Sequence, residues 1–181
     1  MRYKSTMHTP DAVECLTRDQ EVIKRLLQDY ERLLPLEGVA ARKAEIVAQL
    51  CLVLTVHAQV EEDIFYPAVL NACGAKAFPR HVLLDHAGTL ELVTRLAKMH
   101  PGDTDYDATV AVLNAYVTPH MANERTLIYP LAVSAGVNTF ALGHQIGLLQ
   151  KNLYGNLDYR GSHLAPKVQP SLPLATNITM G

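Results

Sequence analysis

Residues 55–67 read TVHAQVEEDIFYP, and a shift of 63 positions aligns them with residues 118–130, which read TPHMANERTLIYP. Both copies contain a histidine, a glutamate four positions later and a Tyr-Pro pair that begins five positions after the glutamate. A shift of 66 aligns Arg18-Asp19-Gln20 with Leu84-Asp85-His86. The chain therefore contains two copies of one unit, and each copy has a polar position followed by His-x-x-x-Glu. The repeated residues are His57, Glu61, Tyr66 and Pro67 in the first copy and His120, Glu124, Tyr129 and Pro130 in the second.

Apolar residues recur at three- and four-residue steps along several stretches, a pattern typical of amphipathic helices. The predicted helices are residues 11–34, 40–66, 78–99 and 105–129, with a fifth short helix at 140–153. Thr9-Pro10 provides a candidate N-cap and first-turn proline for the first helix. Short separating segments favour antiparallel neighbours. We predict an all-α helix bundle at residues 1–153 and a tail, extended or docked on a partner, at residues 154–181.

The two histidine–glutamate pairs lie within apolar stripes, so their side chains are expected to point into the bundle. Residues four apart share one face of a helix. No Lys or Arg lies in the stripes around Glu61 and Glu124, and a buried carboxylate without a partner is costly. A metal ion would supply that partner, because carboxylates and neutral imidazoles suit iron, manganese or zinc. His86 and Gln20 occupy matching middle positions and extend the candidate ligand set. Carboxylates that each bridge two ions would give a dinuclear centre.

Each part of this pattern also has a simpler structural interpretation. A single histidine on an apolar face is usually a hydrogen-bonded core residue, and one His-x-x-x-Glu is common on helices. The repetition of two such pairs with a third histidine favours metal ligands. Glu62 faces about 100° away from Glu61 and is expected in solvent or beside a ligand. Tyr66 and Tyr129 are expected to pack at helix ends, with hydrogen bonding beside the ligands as the alternative. The histidines expected at the surface or in the termini are His8, His81, His100, His144 and His163.

The composition of the 181-residue chain argues against several classes of protein. A formal charge of −2 provides no basic field for nucleic acid or anionic lipid. Three cysteines without C-x-x-C spacing indicate neither a disulfide framework nor a thiolate zinc site, so we expect a reducing cytoplasm. The N-terminus lacks a signal-peptide core, and the most apolar stretch, residues 46–60, is interrupted by polar residues and too short to cross a bilayer. Phosphate-binding, dinucleotide-binding and nucleophile-elbow motifs are absent, as is the Glu-x-x-His of ferritin-like bundles.

The repeated residues resemble the hemerythrin HHE cation-binding family, which has a histidine in the first and third helices and His-x-x-x-Glu in the second and fourth. The similarity covers residues 11–153 and includes Asp19-Gln20, residues 54–67, Asp85-His86 and residues 120–130. It implies an up-down-up-down antiparallel four-helix bundle with a non-haem iron centre, commonly dinuclear. By position, His57 would bind one iron, His86 and His120 would bind the other, and Glu61 and Glu124 would bridge both.

Gln20 is the main departure from the family pattern, which usually has Asp-His where this chain has Asp19-Gln20. An amide oxygen is a weak neutral ligand compared with imidazole, so the metal site near His57 is expected to be the poorer one. Pro119 stands where the family often has another histidine, and it removes a helical hydrogen bond beside the ligand His120.

Three arrangements of the centre remain open after these departures: an asymmetric dinuclear site, one metal held by His86, His120 and a glutamate, or a degenerate site. The function implied by the resemblance is the binding or sensing of oxygen or nitric oxide at iron, without a catalytic residue. Two alternatives remain: an iron-dependent enzyme that handles peroxide or nitric oxide or donates iron for repair, and an interaction module with a structural metal. No nucleic-acid or membrane partner is expected, and a homodimer is left open.

Overall fold

The computed structural model describes residues 10–79 and 81–156. Within these ranges the chain is helical and contains no β-strand, which confirms the all-α prediction. The elements α2–π1–α3 and α5–π2–α6 each form one continuous helix. The elements are α1 (Ala12–Leu33), α2 (Ala40–Val60), π1 (Glu61–Phe65), α3 (Tyr66–Cys73), α4 (His81–Leu96), α5 (Tyr106–Asn123), π2 (Glu124–Ile128), α6 (Tyr129–Ser134) and α7 (Thr139–Asn156).

The first helix begins at a cap that the sequence prediction placed too early. Asp11 is the N-cap residue: its Oδ1 accepts the backbone N–H of Glu14 at 2.8 Å, and Glu14 Oε2 accepts the backbone N–H of Asp11 at 3.0 Å. This capping box satisfies two backbone donors that the first turn of a helix leaves free. The prediction of Thr9 as the cap was therefore wrong.

The second helix is longer than its apolar pattern indicated. Its predicted end was residue 66, but it continues through π1 and α3 to Cys73. The continuous helix Ala40–Cys73 has 34 residues and is long and apolar enough to cross a membrane by length and composition alone. The stretch at residues 46–60, which alone is too short to cross a bilayer, is one part of this longer helix. Because 61% of its apolar window is buried inside the protein, the helix has the packing of a core element.

Two apolar clusters fill the interior and leave a polar layer between them. On α1, Gln20 lies between Leu16 of one cluster and Ile23 of the other. On α5–π2, Glu124 lies between Val117 and Ile128 in the same way. The clusters keep water away from this layer, so its polar groups interact in a medium of low dielectric constant. The first cluster includes Leu16, Val56, Phe65, Ile128 and Ile146, and the second includes Ile23, Leu50, Leu54, Leu113 and Val117.

The fifth helix, α7, packs against α1 and α2 and covers the first cluster. Gly143 allows this approach, because a Cβ atom there would lie 2.2 Å from the carbonyl oxygen of Pro10. The helix continues to Asn156, so residues 154–156 are helical and the tail was predicted to begin too early. Residues 157–181, predicted as the remainder of the tail, lie outside the described residues.

Candidate metal centre

Four of the predicted ligands converge in the polar layer. Glu61, His86, His120 and Glu124 each offer one ligand atom, and these atoms all lie within 4.8 Å of one another. His86 Nε2 lies 3.2 Å from Glu61 Oε2 and 2.9 Å from His120 Nε2. Metal–ligand bonds of about 2.1 Å place ligand atoms roughly 3–4 Å apart, so the spacing in this four-residue cluster is close to that of ligands around one metal ion. All four side chains are buried.

His57 lies at the edge of the four-residue cluster. Its Nε2 atom is 3.3 Å from Glu61 Oε2 and 4.0 Å from Glu124 Oε2. Neither ring nitrogen of His57 has a hydrogen-bond partner, and the same holds for Glu61 Oε1. Buried polar atoms in native proteins are normally paired, so three unpaired atoms beside the cluster point to a missing partner. A set of imidazoles and carboxylates suits a divalent transition-metal ion as that partner.

A carboxylate lies beside the Nδ1 atom of each of the three histidines. A carboxylate that bonds to Nδ1 fixes the ring orientation and leaves Nε2 free to face a metal; this applies to His86 and His120, whereas Asp19 lies beyond hydrogen-bond distance of His57. The pairs are Asp19 with His57 at 3.6 Å, Glu62 with His86 at 3.1 Å, and Asp85 with His120 at 3.3 Å. Sequence reasoning missed this role for Asp19 and Asp85, although each directly precedes a polar position of the repeat. Glu62 was expected in solvent or beside a ligand, and it lies beside His86.

Each glutamate of the cluster begins a π-helical turn. The backbone N–H groups of Tyr66 and Tyr129 bond to the carbonyls of Glu61 and Glu124, five residues earlier. Each tyrosine is followed by a proline, which cannot supply the backbone N–H of a regular α-helical ladder. The wider turn brings residues five apart onto one face, so each tyrosine reaches the level of its glutamate. π-helical turns of this kind are frequent at functional sites.

The two tyrosines contact the polar layer directly. The Tyr66 hydroxyl donates a hydrogen bond to Glu124 Oε1 and lies 3.3 Å from His86 Nε2. The Tyr129 hydroxyl accepts a hydrogen bond from Gln20 Nε2 at 2.7 Å. Burial, and then the charges of the two glutamates, raise the pKa of Tyr66 well above its ordinary value, so it keeps its proton at neutral pH. The expectation that both tyrosines only pack at helix ends was therefore wrong, and the alternative, hydrogen bonding within the polar layer, is confirmed.

A comparison with protein families agrees with this arrangement. The family model of the hemerythrin HHE cation binding domain matches residues 11–132, more than half of the chain. The chain belongs to the hemerythrin HHE cation-binding domain family. It has no significant match among curated proteins and none among solved structures. Domains of this family bind metal, typically iron, and the buried cluster of this HHE domain is compatible with a metal site.

The two carboxyl groups of this HHE domain hold their protons with different affinity. Burial opposes the charge of Glu61, but His57 and His86 outweigh burial and lower the pKa of Glu61 to about 2. Burial and the charge of Glu61 raise the pKa of Glu124 well above its ordinary value. In the metal-free domain, Glu124 therefore retains a proton more readily than Glu61. A divalent cation would compete with that proton.

The two histidines of the cluster also differ in pKa. Burial lowers the pKa of His86, but hydrogen bonds with Glu61 and Glu62 outweigh burial and raise it to about 9. Burial and the charge of His86 lower the pKa of His120 to about 4. At neutral pH in the metal-free HHE domain, His86 is therefore protonated and positively charged, and the adjacent His120 is neutral.

Gln20 is buried in the polar layer, but its oxygen faces away from the cluster. Its Nε2 atom donates to Glu124 Oε2 at 2.9 Å, while its Oε1 atom accepts from Arg125 Nε at 2.5 Å. The structure therefore brings all six predicted metal-site residues together in the polar layer. The predicted ligand roles of His57, Glu61, His86, His120, Glu124 and Gln20 stay predictions.

The remaining histidines of the described residues lie outside the polar layer. His81, His100 and His144 are exposed, as predicted from their register. His8 and His163 lie outside the described residues. The α-helix α5 continues through Pro119 and positions His120 one residue later.

Proposed function

We propose that this HHE domain binds iron at the four-residue cluster and uses it to bind or sense a small diatomic ligand, oxygen or nitric oxide. The observation that carries the proposal is a cavity of about 10 Å³ beside the cluster. This volume is close to the minimum that accommodates one water molecule. The cavity is lined by three histidines, His57, His86 and His120, together with Ile23, Leu54, Ala58, Thr89, Val117 and Met121.

The shape and chemistry of the cavity favour a very small neutral ligand. Five of its nine lining residues are apolar, and Leu54 and Val117 among them are buried. The apolar side of the cavity offers no hydrogen bonds to water or to an ion, while the histidines lie on the side of the cluster, so this space suits a small neutral diatomic molecule. Larger substrates are excluded by volume. When bound at the cluster, iron would supply an open coordination position for this ligand.

The protein groups around the cavity have separate tasks in this proposal. Glu61, His86, His120 and Glu124 would hold the metal, because their ligand atoms have the required spacing. The Tyr66 hydroxyl holds Glu124 Oε1 by a hydrogen bond. The two apolar clusters exclude water from both sides, which strengthens each polar interaction in the layer.

The proposal includes the up-down-up-down order of the four long helices. Two features support it: the connections between consecutive helices are short, and α1 packs against α2 while α4 packs against α5. Short connections favour antiparallel neighbours. In this order, the four residues of the cluster reach the same level of the bundle from three helices: Glu61 from the second, His86 from the third, and His120 and Glu124 from the fourth.

The test is anaerobic loading with ferrous iron, followed by metal analysis and absorption spectroscopy under oxygen and under nitric oxide. We expect wild-type protein to retain iron and to develop a new absorption band with at least one gas. Leu54→Phe should retain iron but lose most of the band, because the larger ring fills the cavity. Leu52→Phe is the matched control, since Leu52 is a buried residue of the same helix that does not line the cavity.

Two results would overturn the proposal. Wild-type protein that retains no iron, or whose iron-loaded spectrum is unchanged by both gases, would exclude the proposed binding. A band in Leu54→Phe as strong as in Leu52→Phe would show that the ligand does not use this cavity.

A further inference from the structure

The Gln20 side chain makes three hydrogen bonds that determine which way its amide faces. Nε2 donates to Glu124 Oε2 at 2.9 Å and to the Tyr129 hydroxyl at 2.7 Å. Oε1 accepts from Arg125 Nε at 2.5 Å. The Gln20 residue has no exposed surface, so solvent does not replace any of these partners. The nitrogen and the oxygen of the Gln20 amide therefore both bond to specific neighbouring side chains.

The chemistry of the partners permits only this orientation of the amide. A guanidinium group donates hydrogen bonds and cannot accept them, and a carboxylate accepts them. A reversed amide would place its N–H groups against Arg125 and its oxygen against Glu124, which would lose both interactions. Arg125 is itself anchored, because its Nη2 atom lies 2.7 Å from Glu21 Oε1. Arg125 therefore presents Nε to Gln20 from a fixed side.

We propose that Arg125 holds Gln20 as a hydrogen-bond donor to Glu124, which makes Gln20 a positioning residue rather than a metal ligand. The positioning role rests on the proposed metal binding at the four-residue cluster. Both carboxyl oxygens of Glu124 then have a donor, Tyr66 at Oε1 and Gln20 at Oε2. Because the oxygen of Gln20 is taken by Arg125, the Gln20 side chain offers no ligand atom beside His57. With one ligand fewer beside His57, we expect the centre to bind one metal ion.

A second cation near Arg125, Lys24, provides a matched control for the loss of one positive charge. Arg125 and Lys24 line the same surface cleft of about 400 Å³ between α1 and α5, with Gln20 in its wall. Only Arg125 of these two cations contacts the Gln20 amide. Replacing either cation by alanine removes one positive charge near the centre, so Lys24→Ala reports the effect of charge alone. Both positions are exposed, and surface substitutions of this kind leave a fold intact.

The first test follows the Gln20 side-chain amide by NMR in metal-free protein, with the signal assigned by its loss in Gln20→Met. In wild type, we expect two amide protons that are protected from exchange with solvent. Arg125→Ala should accelerate their exchange about tenfold or more, because a released amide reorients. Lys24→Ala should leave the exchange unchanged. Equal protection in Arg125→Ala and Lys24→Ala would refute the role of Arg125.

The second test measures Co(II) binding against a competing chelator in 0.5 M salt, which screens surface charges strongly. Arg125→Ala should bind Co(II) about tenfold more weakly than Lys24→Ala, since loss of a group that orients a ligand typically costs 10- to 100-fold in affinity. Wild type should bind one ion. Equal or tighter binding in Arg125→Ala, or a second ion in wild type, would overturn the positioning role. If wild type binds no Co(II), the proposed metal binding fails, while amide exchange still decides whether Arg125 fixes Gln20.

Discussion

The two halves of the polar layer differ in how many ligand atoms they bring together. In the half that contains His86 and His120, four ligand atoms lie within 4.8 Å of one another. In the half that contains His57, the nearest carboxylate atoms are 3.3 Å and 4.0 Å from Nε2, and Gln20 directs its oxygen elsewhere. We call the half that contains His86 and His120 the crowded half, and the half that contains His57 the sparse half. Under the proposed positioning role of Gln20, this difference depends on the side chain at one position of α1.

The two halves share their supporting structure, which makes the comparison informative. Each histidine has a carboxylate at Nδ1, and each glutamate begins a π-helical turn. The apolar clusters lie on either side of the whole layer. Burial is therefore similar in the two halves, and the number of ligand atoms that lie close together is what differs.

The largest expected difference between the two halves comes from removing one histidine from each half. We expect His120→Ala to lower Co(II) affinity at least 100-fold, because it removes one of four clustered ligands. His57→Ala should lower the affinity less than about tenfold, because His57 lies at the edge of the cluster. Chelator competition and metal analysis after desalting measure both effects. Equal losses in the two variants would show that the halves bind metal as one site.

A pH titration of metal-free protein would sharpen the description of the crowded half. The pKa of His86 is raised from 6.5 to about 9 in the folded protein. Its contribution to stability is complete below pH 6.5 and is lost as the pH rises through 9, because the folded state binds the proton more tightly. We expect the free energy of unfolding to fall over this interval by up to about 3 kcal/mol.

Denaturant unfolding at a series of pH values measures this loss of stability. Glu62→Gln should reduce it, since Glu62 is one of the groups that raise the pKa of His86. Co(II)-loaded protein should lack the loss, because the bound metal replaces the proton. An unfolding free energy that stays constant from pH 6.5 to 9 in metal-free wild type would contradict the assignment.

The smallest expected effect concerns the carboxylates at Nδ1 of the histidines. Asp85→Asn should weaken Co(II) binding about tenfold, because His120 loses the group that orients its ring. Asp19→Asn should have a smaller effect, since Asp19 lies beside His57 in the sparse half. The two variants remove the same charge at equivalent positions of the repeat, so their ratio of Co(II) affinities reports the difference between the halves. Equal Co(II) affinities of the two variants would contradict the proposed difference between the crowded half and the sparse half.

Sequence reasoning identified most residues of the layer but not how they are oriented. The histidine–glutamate spacing placed both pairs on inward faces, since an α-helix repeats every 3.6 residues. The same spacing rule put Tyr66 and Tyr129 at helix ends, because it assumed regular α-helix through Tyr-Pro. The π-helical turns at Glu61 and Glu124 changed that register. The presence of proline after each tyrosine was the available signal.

The helix ends show the same division between local and non-local information. The start of α1 follows from a capping box that four neighbouring residues encode, Asp11 to Glu14. The continuation of the second helix to Cys73 and of the fourth to Ser134 depends on packing. Val69 and Ala132 are buried in the first apolar cluster, so tertiary contacts favour helix beyond the point where the repeat ended.

The sequence by itself determined the helical fold, the family and the residues that share the buried layer, because helical periodicity and the repeated His-x-x-x-Glu are local properties of the chain. Only the tertiary structure decided that Gln20 faces Glu124 and that Arg125 takes its oxygen, although these residues are more than one hundred positions apart. An amide offers a donor and an acceptor on one planar group. Which of them faces the centre depends on neighbours from other helices, and those neighbours are brought together only by folding.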